Sequence, residues 1–282
     1  MITSNLNTLL SYSLDKNYDM KPINIKQTKL LMKTDYSEAA KSAKKGICIY
    51  RGQRDGYINS PFISTPNYRI SQNANYNIYT RLLSDILPSW KEYPKRNHSF
   101  ICTNNINRAD DYGNIYIVLP KNGTKLGICP EEDIWDSFQT LPYTLNDFNI
   151  ELSAFLLWIL NTDNSDNTYN KINMAKLFEN GTTDEIENLF YNADKKMINF
   201  LSANDYEIYY PEMVHNDLAE KILSNYKDEL ITGTLNDMLN PETNHFNLID
   251  IKNYSSFFAD NNEIWFDNEA IFIPYSLQRI LV

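Results

Sequence analysis

The C-terminal segment constrains this chain more than any other part of it. Asn262-Glu-Ile-Trp-Phe266 and Ala270-Ile-Phe-Ile273, continuing toward Leu281, read as apolar strands. A terminal strand this apolar has to be paired inside a sheet. The residues just before it cannot supply partners, because beyond Trp135 the pattern is helical: Leu145 to Leu160, Ile172 to Leu201 with a break at Asn180-Gly181, and Pro211 to Leu230. The partners must come from before residue 140. The expectation is an α+β fold of one domain, 1–282, with N-terminal helices (1–45), the first part of the sheet (46–140), a helical insertion (141–250) and the closing strands (251–282).

The first part of the sheet is legible in pieces. A helix with Asp35 as its expected N-terminal cap holds Ala39, Ala40 and Ala43 and stops at Gly46, and Ile47-Cys-Ile-Tyr-Arg51 follows as a strand. Ser71 to Leu87 reads as a helix ended by Pro88. Ser99-Phe-Ile-Cys-Thr103, a short helix over Asn107–Tyr112, and Ile115-Tyr-Ile-Val-Leu119 make a strand–helix–strand unit. Asn5–Leu10 and Thr28–Met32 read as further helical pieces at the N-terminus.

Composition removes several function classes. A net charge of −10 argues against affinity built on neutralising phosphates, so a general duplex nucleic-acid binder is not expected. The three cysteines, Cys48, Cys102 and Cys129, show no CxxC spacing and no disulfide framework, which fits a reducing, cytoplasmic compartment. The longest apolar run, Ser153–Leu160, is far short of the ~20 residues that cross a bilayer, so no membrane partner is expected. Three histidines without HExxH or a zinc spacing give no metal site. Asp163–Thr168 lacks the glycine and the final acid of a calcium loop. Asn122-Gly-Thr-Lys-Leu-Gly127 reads as a hairpin turn rather than a phosphate loop. His98 and Cys102, four apart on a strand, lie ~13 Å from one another and make no nucleophile–base pair.

What remains is three segments in order: Tyr50-Arg51-Gly52 at a strand end, Phe100-Ile-Cys-Thr103 with Ala109 and Tyr112 on the next helix, and Asn261-Asn-Glu263-Ile-Trp-Phe266. Together they resemble the ADP-ribosyltransferase family, in the branch whose site is an arginine, a Ser-Thr-Ser strand and a glutamate. The resemblance implies a split mixed or antiparallel sheet and a mono-ADP-ribosyltransferase that cleaves NAD and passes ADP-ribose to a macromolecular acceptor, a protein in the first instance, as a toxin or phage effector does. It implies Glu263, Arg51 and Thr103 as catalytic residues, and Arg51, Gly52, Cys102, Thr103 and Tyr112 as the NAD-binding set. A non-catalytic binding or virion-associated protein on the same fold, and an NAD glycohydrolase, are the alternatives.

The chemistry asks for these side chains. Departure of nicotinamide leaves a cationic ribose that a carboxylate stabilises, the Glu263 role. An arginine offers fixed donors to a pyrophosphate, a glycine lets backbone approach the nicotinamide amide, and Thr103 would hold the carboxylate while Tyr112 stacks on a flat ring. Cys102-Thr103-Asn104 stands where Ser-Thr-Ser is usual, and Asn261 where transferases acting on arginine or asparagine carry Glu or Gln. Phe62-Ile-Ser-Thr-Pro66 is a second candidate for the hydroxyl strand, and Glu269 with Asp267 a second acidic motif. Arg51, Arg54, Arg69, Lys95 and Arg96 are expected to line the pocket.

Overall fold

The computed structural model describes residues 20–54, 58–68, 78–161, 170–203, 216–226, 229–257 and 261–282. The expected helix at Asn5–Leu10, the start of the Ser71 helix, Arg69, the Asp163–Thr168 loop and the helix opening at Pro211 lie outside these residues. Along the chain come β1 (Lys21–Pro22), α1 (Ile25–Leu31), α2 (Ser37–Lys44), β2 (Ile49–Gln53), β3 (Phe62–Ser64) and α3 (Ile78–Arg81). Next are β4 (Phe100–Thr103), α4 (Ile106–Asp111), β5 (Asn114–Pro120), β6 (Lys125–Ile128), α5 (Leu145–Leu160), α6 (Lys171–Asn180) and α7 (Thr183–Ala203). The chain closes with α8 (Asn216–Asn225), α9 (Ile231–Met238), β7 (Asn247–Asp250), β8 (Glu263–Phe266) and β9 (Ala270–Pro274).

The protein is α+β, and it divides into two compact units: residues 1–69, 98–133 and 247–282, and residues 70–97 and 134–246. The first holds the sheet, in the order β1-β3-β9-β5-β2-β4-β8-β6-β7. Each pairing among the described residues is antiparallel. As the terminal apolar residues require, β8 lies between β4 and β6 and β9 between β3 and β5. Both strands are buried along their whole length, so neither is an edge. Phe62 and Phe272 stack at 5.0 Å, and Phe100 meets Phe272 edge-on at 4.9 Å, at the centre of the apolar core. Three details differ from the sequence reading. Residues after Pro274 form a 3₁₀ helix, not strand. The turn at Asn122-Gly123, where Gly123 has φ +75°, joins β5 to β6, but the two are not neighbours in the sheet. The start of α2 is capped by Asn122, whose Oδ1 accepts from the Glu38 N–H at 3.0 Å, and not by the Asp35 side chain.

The second unit is helical. It takes in α3 and the turns after it, which the sequence reading assigned to the sheet segment. Trp90 explains why: its Nε1–H donates to the Leu239 carbonyl at 2.8 Å, and its ring meets Phe246 at 4.9 Å. Arg81 joins Asp85 at 2.8 Å and donates to the Gly181 carbonyl at 2.8 Å. α7 buries Ile186, Leu189, Phe190, Ala193 and Met197 at helical spacing and opens on a capping box in which Thr182 and Glu185 exchange bonds. Among the described residues, no helix is long and apolar enough to cross a membrane.

Asp194 on α7 caps α9 by accepting from the Ile231 N–H at 3.0 Å. Burial pushes its carboxyl up, against the lowering effect of that bond. A raised folded-state value means that the charge costs stability above the ordinary aspartate pKa and costs nothing below both values. Asp194→Asn keeps the accepting oxygen and removes the charge, so it is expected to raise the thermal midpoint at pH 7. The gain should fade as pH falls through the raised folded-state value and be gone below about 3.9, the unfolded value. Asp194→Ala loses the cap and is expected to cost about 1 kcal/mol, as urea titration would show.

Candidate active site

Positions 51, 103 and 263 fall on three adjacent strands, β2, β4 and β8. β4 and β8 pair in continuous register from Phe100–Phe266 to Thr103–Glu263. Between β2 and β4 only Tyr50–Thr103 is paired. Tyr50, Thr103 and Glu263 therefore form one row, and directly opposed residues present their side chains on one face.

Beyond that row the β2–β4 ladder stops. The phase of the β4–β8 hydrogen bonds is set by Asn104, whose N–H donates to the Asn262 carbonyl at 3.3 Å. Bonding alternates along an antiparallel pair, so the Ile101 carbonyl points away from β8 and toward β2. There it accepts from Arg51 Nη1 at 2.6 Å, in place of a backbone donor. Arg51 is buried, with its guanidinium 5.8 Å from the centre of the Phe100 ring. Its register partner is Tyr116, so its Cβ leaves the sheet on the face opposite to Tyr50, Thr103 and Glu263. Thr103 and Glu263 are brought together directly, and Arg51 meets their strands through the opening between β2 and β4.

Glu263 is held from several directions. Its N–H donates to the Glu131 carbonyl at 3.2 Å, and its carbonyl accepts from the Cys129 N–H at 2.9 Å. Cys129 Sγ lies 3.5 Å from Glu263 Oε1 and donates to it. Asn262 donates through Nδ2 to the carbonyls of Cys129 at 2.8 Å and Pro130 at 3.2 Å. Its own N–H donates to Asn104 Oδ1 at 2.7 Å, and Asn105 Nδ2 donates to Asn261 Oδ1 at 2.8 Å. Asn261 has φ +65°, a left-handed conformation that asparagine tolerates better than most residues.

The other expected site residues have partners of their own. Thr103 Oγ1 accepts from the Asn105 N–H at 3.0 Å, at the turn into α4, and the Cys129 thiol supplies a side-chain bond to the Glu263 carboxylate. Cys102 faces Ile264 across the ladder and packs in the apolar core. Tyr112 is exposed, but the Arg108 guanidinium lies 5.5 Å from its ring centre and is itself tied to Asp133 at 3.3 Å. At Gly52 a Cβ would stand 1.9 Å from the Ala109 carbonyl oxygen, so the glycine is required by the close approach of α4 to β2. Of the expected basic cluster, Arg51 and Arg54 belong to the sheet unit, whereas Lys95 and Arg96 belong to the helical one, where Lys95 pairs with Asp85 at 3.2 Å.

The two alternative motifs lie elsewhere. Ser64 ends β3, which is separated from β2 by β9 and β5. Glu269 accepts from Tyr36 Oη at 2.5 Å and from Lys121 Nζ at 3.3 Å. Burial pushes the Glu269 carboxyl up, but those two bonds with the charges of Lys121 and Lys21 outweigh it, so the net direction is down. Burial, followed by the bond to Glu269, pushes the Tyr36 phenol up. A lowered folded-state value gives stability that is complete above the unfolded glutamate pKa of about 4.3 and is lost as pH falls through the folded value. The thermal midpoint of the wild type should exceed that of Glu269→Gln by a constant margin above pH 5, and the margin should shrink on acidification.

No family model matches the chain, and no curated protein or solved structure matches it. The chemistry of the site is therefore read from its own residues. Cys129, Asn104 and Asn262 are the members to which the sequence reading gave no role in the site. The doubled asparagines Asn104-Asn105 and Asn261-Asn262 were the available signal, hidden in a chain rich in asparagine. Among the described residues, no group of three or more His, Cys, Asp or Glu is placed to hold a metal ion.

Proposed function

We propose that the chain cleaves NAD at the nicotinamide–ribose bond and transfers ADP-ribose to a macromolecular acceptor, with Glu263 as the catalytic carboxylate. The observation that carries this reading is the meeting of three segments distant in sequence on adjacent strands, with Thr103 and Glu263 directly paired. It agrees with the resemblance to ADP-ribosyltransferases noted from the sequence. As nicotinamide leaves, positive charge develops on the ribose. The Glu263 carboxylate stabilises it, and Arg51 at the β2–β4 opening binds the pyrophosphate by exchanging its bond to the Ile101 carbonyl for a charged one.

A second reading, a non-catalytic binding protein of the same architecture, has in its favour the departure of the Arg51 Cβ from the other face of the sheet. Incubation with labelled NAD and a cell lysate separates the two. Nicotinamide release with label on protein is expected for the transferase, and both should be lost in Glu263→Gln. Free ADP-ribose without labelled protein would indicate hydrolysis instead, and no release at all would overturn the enzymatic reading.

A further inference from the structure

We propose that Cys129 is a positioning residue for Glu263: its thiol orients the carboxylate that faces the developing ribose cation. This inference rests on the reading of Glu263 as the catalytic carboxylate. The thiol is fully buried and donates to Oε1 at 3.5 Å. Its place is fixed independently of that bond, because the Cys129 N–H donates to the Glu263 carbonyl at 2.9 Å and the Cys129 carbonyl accepts from Asn262 Nδ2 at 2.8 Å. Asn262 is fixed in turn by the Asn104 side chain, at 2.7 Å from its own N–H. The connection runs from the end of β4, through Asn104 and Asn262, to the segment after β6 and back to the carboxylate of β8.

The choice of donor has a physical reason. A lysine or arginine at position 129 would neutralise the carboxylate in the ground state and compete with the ribose cation for it. A thiol is a weak, uncharged donor with an apolar body. It restricts rotation of the carboxylate without itself adding a positive charge beside it.

Two measurements test the inference. In wild type, Cys129→Ala and Cys129→Ser, the rate of nicotinamide release from NAD is measured together with the thermal midpoint. The expected result is a kcat about tenfold lower in Cys129→Ala, the value of one such bond, with KM for NAD unchanged and kcat restored by the serine hydroxyl. Equal kcat in wild type and Cys129→Ala would overturn it. The infrared S–H stretching band of Cys129, assigned by difference against Cys129→Ala, is then compared between wild type and Glu263→Ala without NAD. A band that moves when the carboxylate is removed supports the inference, and one that stays in place overturns it whatever the enzyme does. A moving band in a wild type that releases no nicotinamide would place the failure in the NAD reading, leaving the thiol–carboxylate bond established but without a catalytic use.

Discussion

Glu263→Gln is expected to lower nicotinamide release by about a thousandfold while leaving NAD affinity nearly unchanged. The carboxylate and its amide are almost isosteric, and the backbone bonds of Glu263 to Glu131 and Cys129 do not involve the side chain, so the fold should survive. What is lost is a full negative charge opposite a sugar that becomes cationic only in the transition state. A unit pair about 4 Å apart at an effective dielectric near 20 is attracted by about 4 kcal/mol, which corresponds to about a thousandfold in rate. The interaction is absent in the neutral ground state of the ribose, so the loss should appear in kcat rather than in KM. Rate assays on wild type and variant, with calorimetric NAD titration of the variant, make the comparison.

The largest effect on stability is expected at Trp265, one strand position past Ile264 and on the same face as Glu263. The indole is buried and lies across Gly127: a Cβ built there would be 2.2 Å from Cε2 and 2.3 Å from Cζ2. Gly127 and Trp265 are register partners between β6 and β8, and the missing side chain on one strand makes the space that the ring fills. Trp265→Ala should cost about 3–5 kcal/mol, as truncation of a buried aromatic does. Gly127→Ala should cost about 1–3 kcal/mol by overpacking. The two changes share one cavity, so their sum should overestimate the double variant: with the ring gone, the alanine methyl enters empty space and its penalty disappears. Urea denaturation followed by far-ultraviolet circular dichroism gives the three values, and strict additivity would contradict the contact.

Much of the fold was legible because its signals are local. The run of helical spacing from Leu145 to Leu160 coincides with α5, Asn180-Gly181 separates α6 from α7, and the apolar terminal strands forced pairing with residues before 140. The failures come from distant partners. Nothing near α2 announces that Asn122 will cap it. Trp90 draws residues 78–97 into the helical unit through Leu239 and Phe246. The turn at Asn122-Gly123 looks like a hairpin, but β5 is flanked by β2 and β9, and strand pairing follows nonlocal packing more than turn chemistry.

The same distinction holds for the candidate site. Arg51, Thr103 and Glu263 could be picked out by residue type and order, and they do reach neighbouring strands. Which face each presents depends on register, and a displacement of one residue reverses it. Tyr50, not Arg51, is the residue opposite Thr103. Cys129 belongs to no motif, and its bond to Glu263 exists only because β6 lies beside β8.

The most direct measurement is a chemical-shift titration of the catalytically slowed Glu263→Gln variant with NAD, following backbone amides. Progressive shifts concentrated at Arg51, Gly52, Thr103 and the flanking Asn104 and Asn262 are the expected result. If NAD leaves those amides unmoved at millimolar concentration, or moves a different set, the β2–β4–β8 junction is not where NAD binds.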